Sequence, residues 1–431
     1  MPNLPLSNPK SNAFAKIDPP SMHTAWGVFW VFLQLGCTSF GGPIAHLGYF
    51  HQTFVEKRNW LSDAQYADTV ALCQFLPGPA SSQVGMAIGW YRAGLVGALA
   101  AWLGFTLPSA VALMGFAVLL QRYPDVVPAG LVHGLKLLAV AVVWQAVWGM
   151  AHKLTPDKPR LTVAVLSALA VLCVPTIWAQ LAVMVMAAVV GWWQLQPRLP
   201  SSDPTPQASV LGKASAKQTR FAMGWLLVFA GLLVGLPLLQ QYFAHQDFAN
   251  QSLAAHGLAV FDAFYRTGAL VFGGGHVVLP LLQAQTVAMG WVDNATFLAG
   301  YGAAQAVPGP LFTFAAFLGA SMSQPLNGWQ GGLLALVAIF LPSFLLVLGV
   351  LPVWQRLRAN HTLQAALLGI NAAVVGVLLA ALYNPVWVSA VGSVQDFAVV
   401  LFAIAALMVW RLPVWVVVIG CALAGIALGQ T

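Results

Sequence analysis

The sequence predicts an all-α polytopic integral membrane protein, built from two homologous repeats of inverted topology whose helical hairpins are broken or re-entrant. Three observations predict this: the composition, a set of glycine and proline motifs that occurs twice, and one apolar segment without a counterpart between the copies. Of the 431 residues, 59% are hydrophobic and 7% charged, and the mean hydropathy is +0.80. Soluble domains carry about 25% charged residues, so this chain lacks the means to cover a water-facing surface. About 20 apolar residues span the hydrocarbon core as a helix, and the sequence offers many such runs. Helix is required because backbone polar groups facing lipid must be satisfied within their own segment. The alternation of a membrane β-barrel is absent from residues 98–120, 137–150 and 333–351.

The net charge of +7 and pI near 9.4 would suggest nucleic acid in a soluble protein. Here the basic residues sit mostly in loops and read as topology signals, so no nucleic-acid partner is expected and the lipid bilayer is the surrounding medium. Residues 1–22 are polar and Pro-rich and read as a cytoplasmic tail without a cleavable signal. Cys37, Cys73, Cys173 and Cys421 lie singly in apolar segments, without metal-ligand spacing. No metal or cofactor is expected.

The repeat is read from order and spacing. Phe40-Gly41-Gly42, Trp60, Gln74, Pro77-Gly78-Pro79 and Pro108-Ser109 return as Phe272-Gly273-Gly274, Trp291, Gln305, Pro308-Gly309-Pro310 and Pro342-Ser343. The offset is 232, then 231, then 234 residues. The first repeat is expected over 23–195 and the second over 255–431. Residues 196–220 form a Pro/Ser/Lys-rich cytoplasmic linker, and 221–241 form an extra span that inverts the second copy. Charge agrees in part. Lys57 and Arg58 are replaced by Ala288 and Met289, and the loop at Arg92 corresponds to the uncharged residues 321–328, whereas Arg122 stands against the pattern. Segments 24–56 and 64–89 are each interrupted near the middle, leaving halves too short to cross alone at about 1.5 Å per residue. The expectation is nine full spans and four broken hairpins; counting the hairpins as crossings gives 12 or 13.

Broken helices survive in a bilayer only where protein or a polar cavity receives their freed backbone groups. Half-helix N-termini attract anions through unpaired N–H groups and the helix dipole. The candidate substrate-binding residues are therefore Phe40, Gly41, Gly42, Gln74, Pro77, Gly78 and Pro79, with Phe272, Gly273, Gly274, Gln305, Pro308, Gly309 and Pro310. Packing kinks are the plain alternative, and duplication at matched positions weighs against it. The two glutamines suit hydrogen bonding to an oxyanion. Intramembrane ionisable residues mark function by default. Asp262 and Arg266, four apart, can pair on one helix face. Arg92 is read as a topology anchor or a gate, and Lys136 as a snorkelling residue. His46 and His276, after the two Gly-Gly breaks, are candidates for carrying a proton. No Walker loop, HExxH or Ser/His/Asp order is present, and Glu56 is the single glutamate. The chain is therefore read as a transporter driven by a gradient, not an enzyme.

The paired Phe-Gly-Gly, Trp and Pro-Gly-Pro landmarks, in this order and over nearly all of 25–195 and 258–429, resemble the long-chain chromate ion transporter (CHR) family. The resemblance implies a multi-pass carrier of the cytoplasmic (inner) membrane that exports chromate on the proton motive force and confers chromate resistance, with the proton as coupling ion. Its motifs fall on the Phe-Gly-Gly and Pro-Gly-Pro residues named above. One departure is that Pro43 follows Gly42 where Gly275 stands in the second copy. Transport of sulfate or another oxyanion is the competing reading, and a membrane enzyme or scaffold the distant one. A homodimer is the candidate assembly.

Overall fold

A computed structural model of the chain describes residues 22–123, 127–174, 176–195, 216–244, 253–272, 275–323 and 325–429. Gly273 and Gly274, most of the 196–220 linker and nearly all of the N-terminal tail lie outside them. The described secondary structure is helical throughout. The first half opens with α1 (Met22–Thr38) and α2 (Gly42–His51), continued by a π-helical turn at Gln52–Lys57. Next come α3 (Asp63–Phe75), α4 (Ala80–Arg122), α5 (Ala129–Leu154), α6 (Lys158–Cys173) and α7 (Ile177–Gln194). After α8 (Ala216–Ala244) the second half repeats the order with α9 (Leu253–Leu270), α10 (Val278–Thr286), α11 (Asn294–Ala306), α12 (Phe314–Ser321) and α13 (Gly328–Val350). Then come the short α14 (Trp354–Arg358), α15 (His361–Ala381), α16 (Val388–Ala390), α17 (Val394–Met408) and α18 (Val414–Leu428).

The four broken hairpins are present as α1–α2, α3 with the first part of α4, α9–α10 and α11–α12. α4 is a half-helix and a long helix joined at a kink, with non-helical angles at Ala93 and Gly94. In the second half the same corner is an open loop between α12 and α13, three residues longer, which is why the offset grows from 231 to 234. A pair of glycines closes the corner in each copy. A Cβ on Gly89 would lie 2.2 Å from the Gly97 carbonyl, and one on Gly319 would lie 2.2 Å from the Gly331 carbonyl. Only hydrogen fits there, as at small-residue contacts between membrane helices generally.

Five helices among the described residues are long and apolar enough to cross a membrane alone: α4, α5, α8, α13, and α15 with its extension to Ala390. The other four of the nine helices expected as full spans are shorter. α6, α7, α17 and α18 have 16, 18, 15 and 15 residues. At about 1.5 Å per residue the 15-residue helices reach about 22 Å, short of a hydrocarbon core of about 30 Å. The reversal expected at α8 does not depend on how α6 and α7 are counted, because as a pair they contribute an even number either way. α8 stands on the rim, with Leu227, Val234 and Leu238 more than half exposed, as lipid-facing apolar side chains are.

The halves interlock crosswise. α5 packs on α18, and its counterpart α15 packs on α7; α17 packs on α5, and α6 packs on α15. Glycines set the closest approaches, Gly130 against Gly425 and Gly191 against Gly369. The largest core runs through both halves, from Met86 and Leu113 to Phe312, Phe340 and Val400. At one end Asp68 on α3 accepts from Trp354 Nε1 at 3.0 Å and from Arg358 Nη1 at 2.8 Å, a further tie between the copies.

Candidate functional site

Each Pro-Gly-Pro bend is held by the other half of the molecule. The Gly78 N–H donates to the Val271 carbonyl at 2.7 Å, and the Gly309 N–H donates to the Ser39 carbonyl at 3.0 Å. Val271 and Ser39 immediately precede the two Phe-Gly-Gly breaks. Contact i to j in one direction and j to i in the other is what a two-fold relation produces. The side chains repeat the pattern, since Gly78 sits against Ser343 of the second half and Gly309 against Ser109 of the first. Both glycines have positive φ, +115° and +107°, where a Cβ is strained, and a Cβ would stand 2.7 Å and 2.8 Å from those hydroxyl oxygens.

The difference between Pro43 and Gly275 has a geometric cause. These equivalent residues meet each other: a Cβ on Gly275 would stand 3.2 Å from Pro43 Cγ. A residue that touches its own counterpart lies beside the pseudo-two-fold, where two prolines would crowd. The 3-10 turn at Gly275–Val277 also packs on the 3-10 turn at Leu311–Thr313 that comes after Pro310. Breaks and bends thus converge at the centre. The half-helix of α4 starts at Ala80 with Pro79 at its N-cap, and α12 continues from Pro310 after that 3-10 turn.

The surroundings of the two bends are not equivalent. Beside the first, Gln83 is fully buried and donates from Nε2 to the Pro77 carbonyl at 2.6 Å and towards Ser343 Oγ at 3.4 Å. Between the two, His46 is buried with Nε2 at 3.1 Å from the Ser39 carbonyl and Nδ1 at 3.4 Å from Ser81 Oγ. The Ser39 carbonyl therefore joins His46 to the Gly309 N–H. Ser39 Oγ, Ser82 Oγ, Gln83 Oε1, Thr106 Oγ1 and Gln305 Nε2 are buried and have no hydrogen-bond partner. Unsatisfied buried polar atoms are costly and invite a polar occupant. At the repeat-related positions of Ser39, Gln83 and Thr106 stand Val271, Phe314 and Phe340, while Ser82 corresponds to Thr313, so the first half contributes most of the polar lining and the second adds Gln305 and Ser343.

Gln74 is exposed whereas Gln305 is half-buried, so the two glutamines do not share an environment despite matched positions. Phe40 and Phe272 are half-buried, Gly41 is exposed, and Gly42 is half-buried. Arg92 lies at the far end of the half-helix, 12 residues beyond Ala80 and hence about 18 Å from the bend. Its guanidinium sits over the Trp60 ring at 4.9 Å, with Arg58 at 5.6 Å from the same ring. That is an anchoring contact, remote from the central bends. Asp262 and Arg266 form the expected ion pair on α9, with Asp262 fully buried. His276 Nδ1 lies 2.8 Å from the Tyr301 hydroxyl. Sequence spacing singled out neither Gln83, Ser81 and Ser82 nor the pair Ser109 and Ser343. The last two were visible as the final duplicated landmark, Pro-Ser, and they are the residues against which the bends close.

Interlocked repeats, a lipid-facing apolar rim and a buried polar crossing between the copies define a multi-pass membrane transport protein. The chain belongs to the chromate transporter family, whose model matches residues 26–192 and 258–426. It is 28% identical over 403 residues to a probable chromate transport protein of Synechococcus elongatus, covering 92% of this chain and 93% of that protein. It is 25% identical over 402 residues to the chromate transport protein of Cupriavidus metallidurans, covering 92% and 90%, and 26% identical over 424 residues to that of Pseudomonas aeruginosa, covering 96% and 95%. No solved structure matches the chain.

Proposed function

We propose that this protein exports chromate across the cytoplasmic membrane on the proton motive force, as an antiporter that confers chromate resistance. The observation that carries the reading is the crosswise closure of the two Pro-Gly-Pro bends beside buried hydroxyl and carboxamide groups without partners. The bends are flanked by half-helices and sit where the repeats meet, which is mid-depth in a protein of inverted halves. A tetrahedral dianion placed there accepts hydrogen bonds from the α4 N-terminus, from Ser39, Ser82 and Thr106, and from the carboxamides of Gln83 and Gln305. Neutral donors and helix ends offset its charge without a fixed cation, and binding stays weak enough for release.

Transport proceeds by alternating access. The two interlocked halves rock about the near-dyad contact of Pro43 with Gly275, and each bend swaps its partner carbonyl for the anion. His46, hydrogen-bonded to the carbonyl that holds Gly309, is the candidate for the proton step. The proposed substrate residues remain the Phe-Gly-Gly and Pro-Gly-Pro groups with Gln305, joined by Gln83, Ser109 and Ser343.

Chromate flux in proteoliposomes, with and without an imposed pH gradient, tests the proposal. Uptake accelerated by a gradient of the right sign is expected. Flux indifferent to that gradient removes the proton coupling, and absence of chromate movement removes the substrate. Competition by sulfate and molybdate decides between chromate and a broader oxyanion range.

A further inference from the structure

Two cavities open away from the bends. The larger, about 420 Å³, is a groove at the ends of α5, α17 and α18 containing the His133–Asp396 pair, 2.6 Å apart, and its carboxylate makes it hostile to an anion. The smaller, about 180 Å³, lies between α7 of the first half and α10 and α15 of the second. Its lining includes Gln180, Gln283, Asn384, Pro280, Ala284 and Val377, and no charged side chain. We propose that this second cavity is an oxyanion subsite, a vestibule between the central bends and the membrane face towards which α10 runs. The inference rests on the oxyanion-transport reading above.

Position is the first argument. Pro280, Gln283, Ala284 and Val287 recur along α10 at helical spacing on the face that continues from His276, the residue beside the second break. Eight residues of helix separate His276 from Ala284, about 12 Å, so the cavity begins one to two turns beyond the centre. The cavity also has an outer end, because Ala288 and Asn384 on its lining are exposed.

Chemistry is the second. Three carboxamides from three separate elements converge on one space, Asn384 at the mouth and Gln180 inside. Gln180 is 93% buried, being 7% exposed, and its Oε1 has no hydrogen-bond partner. A carboxamide turned by half a rotation presents its NH2 group in place of the carbonyl, so the unmet end becomes a donor when an anion arrives. Gln283 spends one donor on Asn294 Oδ1 at 3.4 Å and keeps another. Such donors strip part of the hydration of an oxyanion and return it without the grip of a fixed cation.

Asymmetry is the third. On α2 the position equivalent to Gln283 is His51, held by Glu56 at 3.2 Å and by Asp63 at 2.7 Å. Lys57 and Arg58 adjoin that cluster, so the first approach carries paired charges of both signs where the second carries neutral carboxamides.

The test uses the full-length protein in liposomes, with chromate and radiolabelled sulfate as probes. Gln283→Glu keeps the shape and adds a negative charge, and Gln180→Leu removes the deepest donor. Each is expected to raise the apparent KM for chromate about tenfold or more, the loss of one hydrogen bond to a charged group. Asn384→Asp, exposed at the mouth and tolerant of a charge, carries the same expectation should the buried variants fail to fold. A wild-type protein that moves neither chromate nor sulfate would bring down the transport reading and the vestibule together. Wild-type flux with an unchanged KM in Gln283→Glu and Asn384→Asp overturns the vestibule alone. The same KM pattern seen with sulfate in place of chromate upholds the vestibule and reassigns the cargo.

Discussion

Substituting Gly309 by alanine tests the crosswise closure most directly. The residue has φ +107°, and a new Cβ would stand 2.8 Å from Ser109 Oγ and 3.3 Å from the Phe105 carbonyl. Backbone strain at such a φ costs about 1–3 kcal/mol, and the steric overlap costs a further 1–3 kcal/mol or so. Gly309→Ala is therefore expected to lose roughly 2–6 kcal/mol of stability. Ser109→Ala removes the nearest atom and forfeits a bond from its hydroxyl to the Thr106 carbonyl at 3.1 Å, at a cost of about 0.5–1.5 kcal/mol. In the double variant the tightest contact relaxes to 3.3 Å, so the two changes should couple favourably by about 1–2 kcal/mol. Unfolding of the purified protein in mixed micelles, analysed as a double-mutant cycle, measures that coupling, and chromate flux on the same four proteins shows whether the rescue reaches transport. Strict additivity would refute the contact, and with it the idea that each bend closes on the opposite repeat.

Gln83→Leu removes the side chain that ties the Pro77 carbonyl towards Ser343, and chromate transport is expected to fall at least about tenfold with little change in membrane insertion, measured by flux per mole of reconstituted protein. Asp262→Ala leaves Arg266, 19% exposed, without its partner and should destabilise by about 3–5 kcal/mol; Asp262→Leu combined with Arg266→Leu should recover most of this in the same unfolding assay. His46→Gln keeps a hydrogen-bonding group beside Ser39 and Ser81 but carries no proton, so flux should persist and lose its acceleration by a pH gradient; acceleration equal to wild type excludes His46 from the proton step. Arg92→Ala removes a half-buried cation–π contact with Trp60 worth about 1–2 kcal/mol and should lower thermal stability accordingly while leaving the KM for chromate unchanged.

Composition alone determined that this chain is helical and lives in a bilayer, because so few charges cannot clothe a soluble surface. The duplicated landmarks determined that it is two copies of one unit. The same landmarks placed the four interruptions, since Gly-Gly and Pro-Gly-Pro end helices by their own backbone limits, wherever they are packed. What each interruption touches was decided only in three dimensions. Gln74 and Gln305 match in sequence, yet one is exposed and the other half-buried, because side chains at equivalent positions meet different neighbours once the copies have diverged. Ser109 and Ser343 looked like the tail of a motif until the fold set them against Gly309 and Gly78, some 200 and 265 residues away along the chain. The substitution of Pro43 by Gly275 read as a departure, and it became intelligible only when the two residues were found facing each other beside the axis. Contacts between repeats depend on how two surfaces dock. A linear pattern records what each segment can do alone, and docking is a property of the pair.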